Sequence, residues 1–67
     1  MIILTKIKNG HRANITEYIV AEYRSKENEL LIIENNKVIE KEKVNFRTVT
    51  EFMLKIYELR KKYYGRI

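Results

Sequence analysis

The sequence predicts a small α+β fold, in which a mostly antiparallel β-sheet of four to five strands carries one C-terminal amphipathic α-helix. Two observations lead to this prediction. Short apolar runs alternate with asparagine-containing turns over residues 1–46, and apolar residues then recur at helical spacing over residues 48–64. A chain of 67 residues forms a single domain, residues 1–67. A partly open SH3-like barrel is one form that such a sheet can take.

Residues 48–64 are the clearest element. Their apolar positions recur every three or four residues, at Val49, Phe52, Met53, Ile56, Leu59 and Tyr63. Thr48 and Glu51 have the spacing of a capping box, and Gly65 stands where a left-handed residue often ends a helix. The polar side predicts two favourable Glu-to-Lys pairs within the row Glu51, Lys55, Glu58 and Lys62.

A β-hairpin precedes this helix. Residues 30–33 and 38–39 are apolar, and they flank Asn35 and Asn36, which tolerate the positive φ of a two-residue turn. Residues 30–33 are apolar on both faces of the predicted strand. One face can be covered by the helix, and the other needs a barrel wall or a second subunit.

The simplest register of this hairpin places Ile33 opposite Val38 and Leu30 opposite Lys41. Residues 40–43 alternate glutamate and lysine. Such alternation is typical of a solvated edge strand that resists pairing with another sheet. The second strand is therefore expected at an edge.

A second hairpin is predicted at the start of the chain. Residues 1–7 are rich in β-formers, and Asn9 with Gly10 is the strongest two-residue hairpin signal in the sequence. The return strand is expected to start near His11.

Residues 14–26 admit two interpretations. The β-branched run at residues 18–20, followed by the polar residues 25–28, favours a strand and one more hairpin. The spacing of Asn14 and Glu17 also fits the start of a helix. The strand is the favoured interpretation.

Motifs for catalysis are not evident. The chain has no cysteine and no aspartate, one histidine (His11) and one serine (Ser25), and it has no glycine-rich phosphate loop. We therefore expect a protein that is not an enzyme and has no metal, cofactor or small-molecule substrate.

The cellular location is predicted from two features that the sequence does not show. No signal peptide is evident, and no apolar run approaches the roughly 20 residues that span a bilayer. A soluble, cytoplasmic protein is therefore expected.

Charge is the strongest functional signal. The formal net charge is +5, and positive charge is in excess over residues 1–26 and 45–67, whereas residues 27–44 are net acidic. Such a basic surface is expected of proteins that bind the phosphate backbone. The leading hypothesis is a small nucleic-acid-binding protein, of the kind that a virus or mobile element encodes as a regulator. Its candidate contacts are Lys6, Lys8, Arg12, Arg24, Arg60, Lys61, Lys62, Tyr64 and Arg66.

The competing hypothesis is a protein-interaction module, either a homodimer or an inhibitor of a host protein. Leu54 projects away from the apolar side of the helix, beside Tyr57. Exposed apolar neighbours of this kind often mark a contact surface for a partner. The cations in the last helical turn also have a purely structural explanation, because they stabilise the negative end of the helix dipole.

The order of the predicted elements resembles that of the small chromatin proteins of hyperthermophilic archaea. Those proteins are SH3-like barrels that sit on the DNA minor groove. They use an exposed tryptophan and a glycine-rich turn, where this chain has Tyr23 and the pair Asn35 and Asn36. The resemblance is one of architecture, and no residue role is transferred from it.

Overall fold

The computed structural model describes residues 2–65, which form a five-stranded antiparallel sheet and one helix. The strands are adjacent in chain order: β1 Leu4–Ile7, β2 Gly10–Asn14, β3 Ile19–Arg24, β4 Glu29–Glu34 and β5 Lys37–Lys43. The helix α1, Val49–Tyr64, follows β5. The predicted α+β class is confirmed. The sheet is open, with β1 and β5 at its edges, so an SH3-like barrel is not closed.

The helix α1 covers one face of the sheet. It buries Phe52, Ile56, Leu59 and Tyr63, which belong to one apolar cluster with alternate residues of the central strands. The strand residues of that cluster are Ala13, Ile19, Ala21, Tyr23, Leu30 and Ile32. Because side chains alternate along a strand, the residues between these positions point to the opposite face.

Residues 19–24 form β3, so the strand interpretation is confirmed and the helical one is wrong. Ile19, Ala21 and Tyr23 are buried, with less buried residues between them. Thr16 shapes the entry into β3, since its hydroxyl oxygen accepts hydrogen bonds from the backbone N–H groups of Tyr18 and Ile19. Burial therefore alternates from one residue to the next along this segment, as in a strand, and does not follow the helical spacing.

The turn between β4 and β5 has the predicted form. Asn35 and Asn36 have φ values of 51° and 64°, as a two-residue turn of the primed type requires. The turn of the first hairpin lies one residue earlier in the chain than predicted. Its turn is residues 8–9, with Asn9 at φ 61°, and Gly10 is already paired with Ile7 as the first residue of β2.

The register between β4 and β5 follows the prediction only at its start. Ile33 pairs with Val38, but a bulge then leaves Ile39 unpaired. Leu30 consequently pairs with Glu42 and not with Lys41, so the predicted register is wrong beyond the bulge. One extra residue moves every later side chain of β5 to the other face of the sheet.

Both ends of α1 show local capping. The hydroxyl oxygen of Thr48 accepts from the N–H of Glu51 at 3.3 Å, and the carboxylate of Glu51 accepts from the N–H of Arg47 at 2.7 Å. The prediction of a left-handed Gly65 is wrong, because its φ is −68°. Its N–H donates to the Lys61 carbonyl at 3.0 Å, so Gly65 extends the helical hydrogen bonding instead of reversing the chain.

The lysines of α1 pair with the sheet. The predicted pairs within the helix are not formed, because Lys55 lies 3.3 Å from the Glu42 carboxylate and Lys62 lies 3.0 Å from that of Glu40. The hydroxyl of Tyr63 also donates to Glu40. The bulge explains the difference, since it turns Glu40 and Glu42 toward the helix.

Candidate nucleic-acid interface

The second face of the sheet, the open face, lies opposite α1. Within residues 2–65, neither a helix nor a strand covers it. The register arranges its side chains in three rows across the strands. The first row is Thr5, Arg12, Glu22, Leu31 and Lys41, the second is Asn14, Val20, Ile33 and Val38, and the third is Arg24, Glu29 and Lys43.

The strand β5 separates its charges between the two faces. Its acidic residues Glu40 and Glu42 point to the helix side, where lysines of α1 pair with them. Two of its three lysines, Lys41 and Lys43, therefore point to the open face, whereas Lys37 precedes the bulge and lies on the other face. The net acidic middle of the sequence thus contributes cations to this face, and sequence reasoning missed both lysines as site residues. The alternation of glutamate and lysine over residues 40–43 indicates that the two charges lie on opposite faces, but it does not show which face receives the lysines.

Arg12 and Arg24 lie on the open face, on either side of Glu22. The Nε of Arg24 donates to the Glu22 carboxylate at 2.7 Å, and the Nε of Arg12 lies 3.8 Å from it. The hydrogen bond to Glu22, followed by the charge of Glu22, raises the pKa of Arg24 above its ordinary value. The Glu22 carboxylate thus positions both guanidinium groups, and both arginine side chains remain about half exposed.

Apolar side chains occupy the middle of the open face. Leu31 is buried there, between its cross-strand neighbours Glu22 and Lys41, whose aliphatic stems can cover it. Val20 and Ile33 are half-buried in the next row. The apolar second face of β4 is therefore accommodated within the described chain by flanking long side chains, so a barrel wall is not required.

Lys6 and Lys8 are separated from this arrangement. Lys6 is paired with His11 on the α1 side of the sheet, and Lys8 lies in the turn between β1 and β2. Both are exposed. The four N-terminal candidates therefore divide between the open face, which holds Arg12 and Arg24, and the end of the sheet where α1 begins.

The basic residues at the helix end form another group. The guanidinium of Arg60 lies 5.3 Å from the ring centre of Tyr64, and Lys62 is paired with Glu40. Lys61 is exposed. These residues are on the last turns of α1, so the sheet lies between them and the arginines of the open face. The remaining candidate, Arg66, lies outside the described residues.

The predicted contact residues Leu54 and Tyr57 are among the most exposed apolar residues of the described chain. Leu54 is 62% exposed and Tyr57 is 55% exposed. Both lie on the side of α1 that faces away from the buried Ile56 and Leu59. They form a small apolar surface separate from the open face.

Tyr23 is a core residue, unlike the exposed tryptophan of the chromatin proteins that the element order resembles. It is almost fully buried, and its hydroxyl oxygen accepts from the N–H of Phe46 at 3.2 Å. Its ring packs edge-on against Phe46, with centres 4.8 Å apart. Tyr23 therefore cannot serve as an exposed wedge on the sheet.

The part of the chain that the structure describes lacks two further features, a metal-binding cluster and a membrane-spanning helix. Histidine, cysteine, aspartate and glutamate side chains do not gather there in a group of three that could hold a metal ion. The described helix is too short and too polar to cross a lipid bilayer.

Comparisons with known proteins add no relatives. No protein-family model, curated protein or solved structure matches this chain. The geometry and charge of the chain itself therefore carry the evidence for its function.

Proposed function

We propose that this protein binds nucleic acid through the open face of its sheet and has no catalytic activity. The observation that carries the proposal is the separation of charge in β5. It directs Lys41 and Lys43 to the same face as Arg12 and Arg24, and that face lies away from the helix. Several phosphate-binding cations on one face are the expected basis of sequence-independent binding.

The open face has a net positive charge. The open face carries four cations against the carboxylates of Glu22 and Glu29, an excess of two. Glu22 lies beside Arg12 and Arg24, and Lys43 lies 4.0 Å from Glu29. On the helix side, Lys55 and Lys62 are paired with carboxylates of β5. Lys41 of the open face, by contrast, forms no ion pair with a described residue, so it is available to a phosphate.

The spacing of the cations also suits an extended ligand. Arg12 and Lys41 belong to one row but lie three strands apart, which is about 14 Å at a strand separation of about 4.8 Å. Arg24 and Lys43 are two strands apart in a parallel row. Cations so distributed can contact several phosphates at once, so affinity should depend steeply on salt.

Neutralising Lys41 and Lys43, the two lysines of β5 on the open face, should weaken nucleic-acid binding more than removing the same charge elsewhere. We expect Lys41→Gln with Lys43→Gln to lower the slope of log affinity against log salt by about 1 per lysine, because each lysine neutralises one phosphate. Fluorescence anisotropy with duplex and single-stranded oligonucleotides, over a series of salt concentrations, measures this slope.

The matched control is Lys37→Gln with Lys61→Gln, which removes the same charge from exposed positions outside the three rows. The control should keep the slope of the unmodified protein. Equal losses in both double variants would show that only total charge matters. If the unmodified protein does not bind either oligonucleotide at low salt, nucleic-acid binding is excluded.

The second candidate function is protein interaction through Leu54 and Tyr57, and the exposure of both side chains on α1 favours it. For a homodimer formed there, light scattering should give twice the monomer mass, and Leu54→Glu with Tyr57→Glu should restore the monomer mass by placing charges in the contact. Asn45→Glu is the control, because Asn45 is exposed and precedes the helix. A strictly monomeric unmodified protein excludes the homodimer.

A further inference from the structure

A cleft opens at the end of the sheet where α1 begins. It has a volume of about 460 Å³ and lies between the β1–β2 hairpin, the start of the turn after β3 and the segment that leads into α1. We call it the Lys6–Arg47 cleft. It is lined by Lys6, Asn9, Gly10, His11, Tyr23, Ser25, and by Phe46, Arg47, Thr48, Val49 and Phe52.

The charge of this cleft is one-sided. The cations Lys6 and Arg47 line it, and none of its described lining residues is acidic. The side chains of Lys6 and Arg47 are exposed and form no ion pair with a described residue. The carboxylate of Glu51 accepts from the backbone N–H of Arg47 but does not line the cleft. Other cations, such as Lys55 and Lys62, are paired with carboxylates.

The elements that carry these cations are held in place. Lys6 is paired with His11 across β1 and β2, and the His11 ring lies 6.0 Å from the ring of Phe52 in the core. The backbone of Arg47 is held by its hydrogen bond to Glu51. The two cations therefore face one cleft although they are far apart in the sequence.

The wall of the cleft offers further polar and apolar groups. The hydroxyl oxygen of Tyr23 accepts the N–H of Phe46, which leaves its own proton available to donate. The hydroxyl of Ser25 donates to the Asn9 carbonyl and ties the two hairpins together at this end. The side chain of Val49 is partly exposed at the rim, where it supplies an apolar surface.

We propose that the Lys6–Arg47 cleft binds the phosphate group of a nucleotide. Lys6 and Arg47 are the charge partners of the phosphate, with Arg47 suited to a two-pronged contact with its oxygens. The volume is within the range of small-molecule sites and accommodates a mononucleotide. The cleft is on the α1 side of the sheet, so it is distinct from the open face and can bind phosphate whether or not the open face binds nucleic acid.

The phosphate that binds in the cleft can belong to one of two ligands, a phosphorylated strand end or a free mononucleotide. The first probe is adenosine 5′-monophosphate, titrated into the full chain and followed by amide chemical shifts, with inorganic phosphate and adenosine as comparisons. We expect saturable shifts at Lys6, His11, Arg47 and Val49 with the monophosphate, and affinity for adenosine weaker by at least about tenfold because the phosphate contacts are absent.

Variants test the two charge partners. Lys6→Gln with Arg47→Gln should weaken binding of the monophosphate by at least about tenfold. The charge-matched pair Lys37→Gln with Lys61→Gln should leave it unchanged, since neither residue lines the cleft. Unchanged amide shifts elsewhere in the spectrum check that each variant is folded. Equal affinity for adenosine and its monophosphate, no saturable shifts, or equal losses in both variants would overturn the proposal.

Oligonucleotides with and without a 5′-phosphate separate the two sources. A preference for the phosphorylated strand that disappears in Lys6→Gln with Arg47→Gln identifies a strand end as the ligand. Equal affinity for both strands, together with binding of the monophosphate, identifies the free nucleotide. The open-face variants at Lys41 and Lys43 should not alter binding of the monophosphate. The phosphate cleft and the nucleic-acid-binding face can therefore be tested, and can fail, independently of each other.

Discussion

Phe52→Ala should lower the free energy of unfolding by about 3–5 kcal/mol, because truncating a buried phenylalanine loses its transfer free energy and leaves a cavity. The side chain of Phe52 is 1% exposed and lies beside three aromatic rings, those of Phe46, His11 and Tyr23, at ring-centre distances of 5.7, 6.0 and 6.4 Å. A domain of this length has roughly 3–10 kcal/mol of stability in total. Phe52→Ala should therefore be mostly or partly unfolded at physiological temperature.

Thermal unfolding followed by circular dichroism measures this effect. A loss of that size lowers Tm by roughly 15–30 °C in a domain this small. Leu54→Ala is the control, because Leu54 lies on the same helix but is exposed, and we expect a change within about 0.5 kcal/mol. Phe52→Leu keeps most of the buried volume and should fall between the two. Similar melting of Phe52→Ala and Leu54→Ala would contradict the packing of α1 on the sheet.

Gly10→Ala should destabilise the protein by about 2–3 kcal/mol, because a Cβ at this position has no room. A Cβ built on Gly10 would overlap the backbone carbonyl oxygen of Tyr23 on the neighbouring strand. Backbone atoms cannot move aside as a flexible side chain can, so β2 and β3 must separate locally. The pairing of Gly10 with Arg24 should be lost first.

The sign of this effect distinguishes it from the ordinary consequence of replacing glycine. Where the backbone and the space allow alanine, the replacement stabilises by about 0.4–1 kcal/mol through the unfolded state. Denaturant unfolding gives the sign, and amide hydrogen exchange should show lost protection along β2 and β3. Arg12→Ala is the control on the same strand, with a side chain exposed on the open face. A Gly10→Ala variant as stable as the unmodified protein contradicts the close contact with Tyr23.

Local interactions explain which parts of the fold the sequence predicts well. The capping residue Thr48 and the helical spacing after it locate α1, because both depend on residues a few positions apart. Asn35 and Asn36 locate the last turn, because asparagine tolerates positive φ. The first turn was placed one residue late, since Gly10 is required by the approach of the Tyr23 backbone and not by its own φ.

The candidate sites depend on contacts between residues far apart in the chain, which short sequence patterns do not reveal. The open-face site was only half predicted: Arg12 and Arg24 were among the candidates, whereas Lys41 and Lys43 were not. In the simplest hairpin register, Lys41 would share the helix side with Leu30. The Lys6–Arg47 cleft was not predicted either, because its two cations are brought together only when α1 folds back over the sheet.

The sequence by itself determined the class of fold, the helix, and a surface with more cations than carboxylates. Of the six residues that it placed on the apolar side of the helix, Phe52, Ile56, Leu59 and Tyr63 are buried, whereas Met53 is half-buried and Val49 is exposed. Only the tertiary structure decided where those cations point. Side chains alternate along a strand, so the single bulge at Ile39 exchanges the faces of all later residues of β5. It turns Glu40 and Glu42 to the lysines of α1 and leaves Lys41 and Lys43 on the open face.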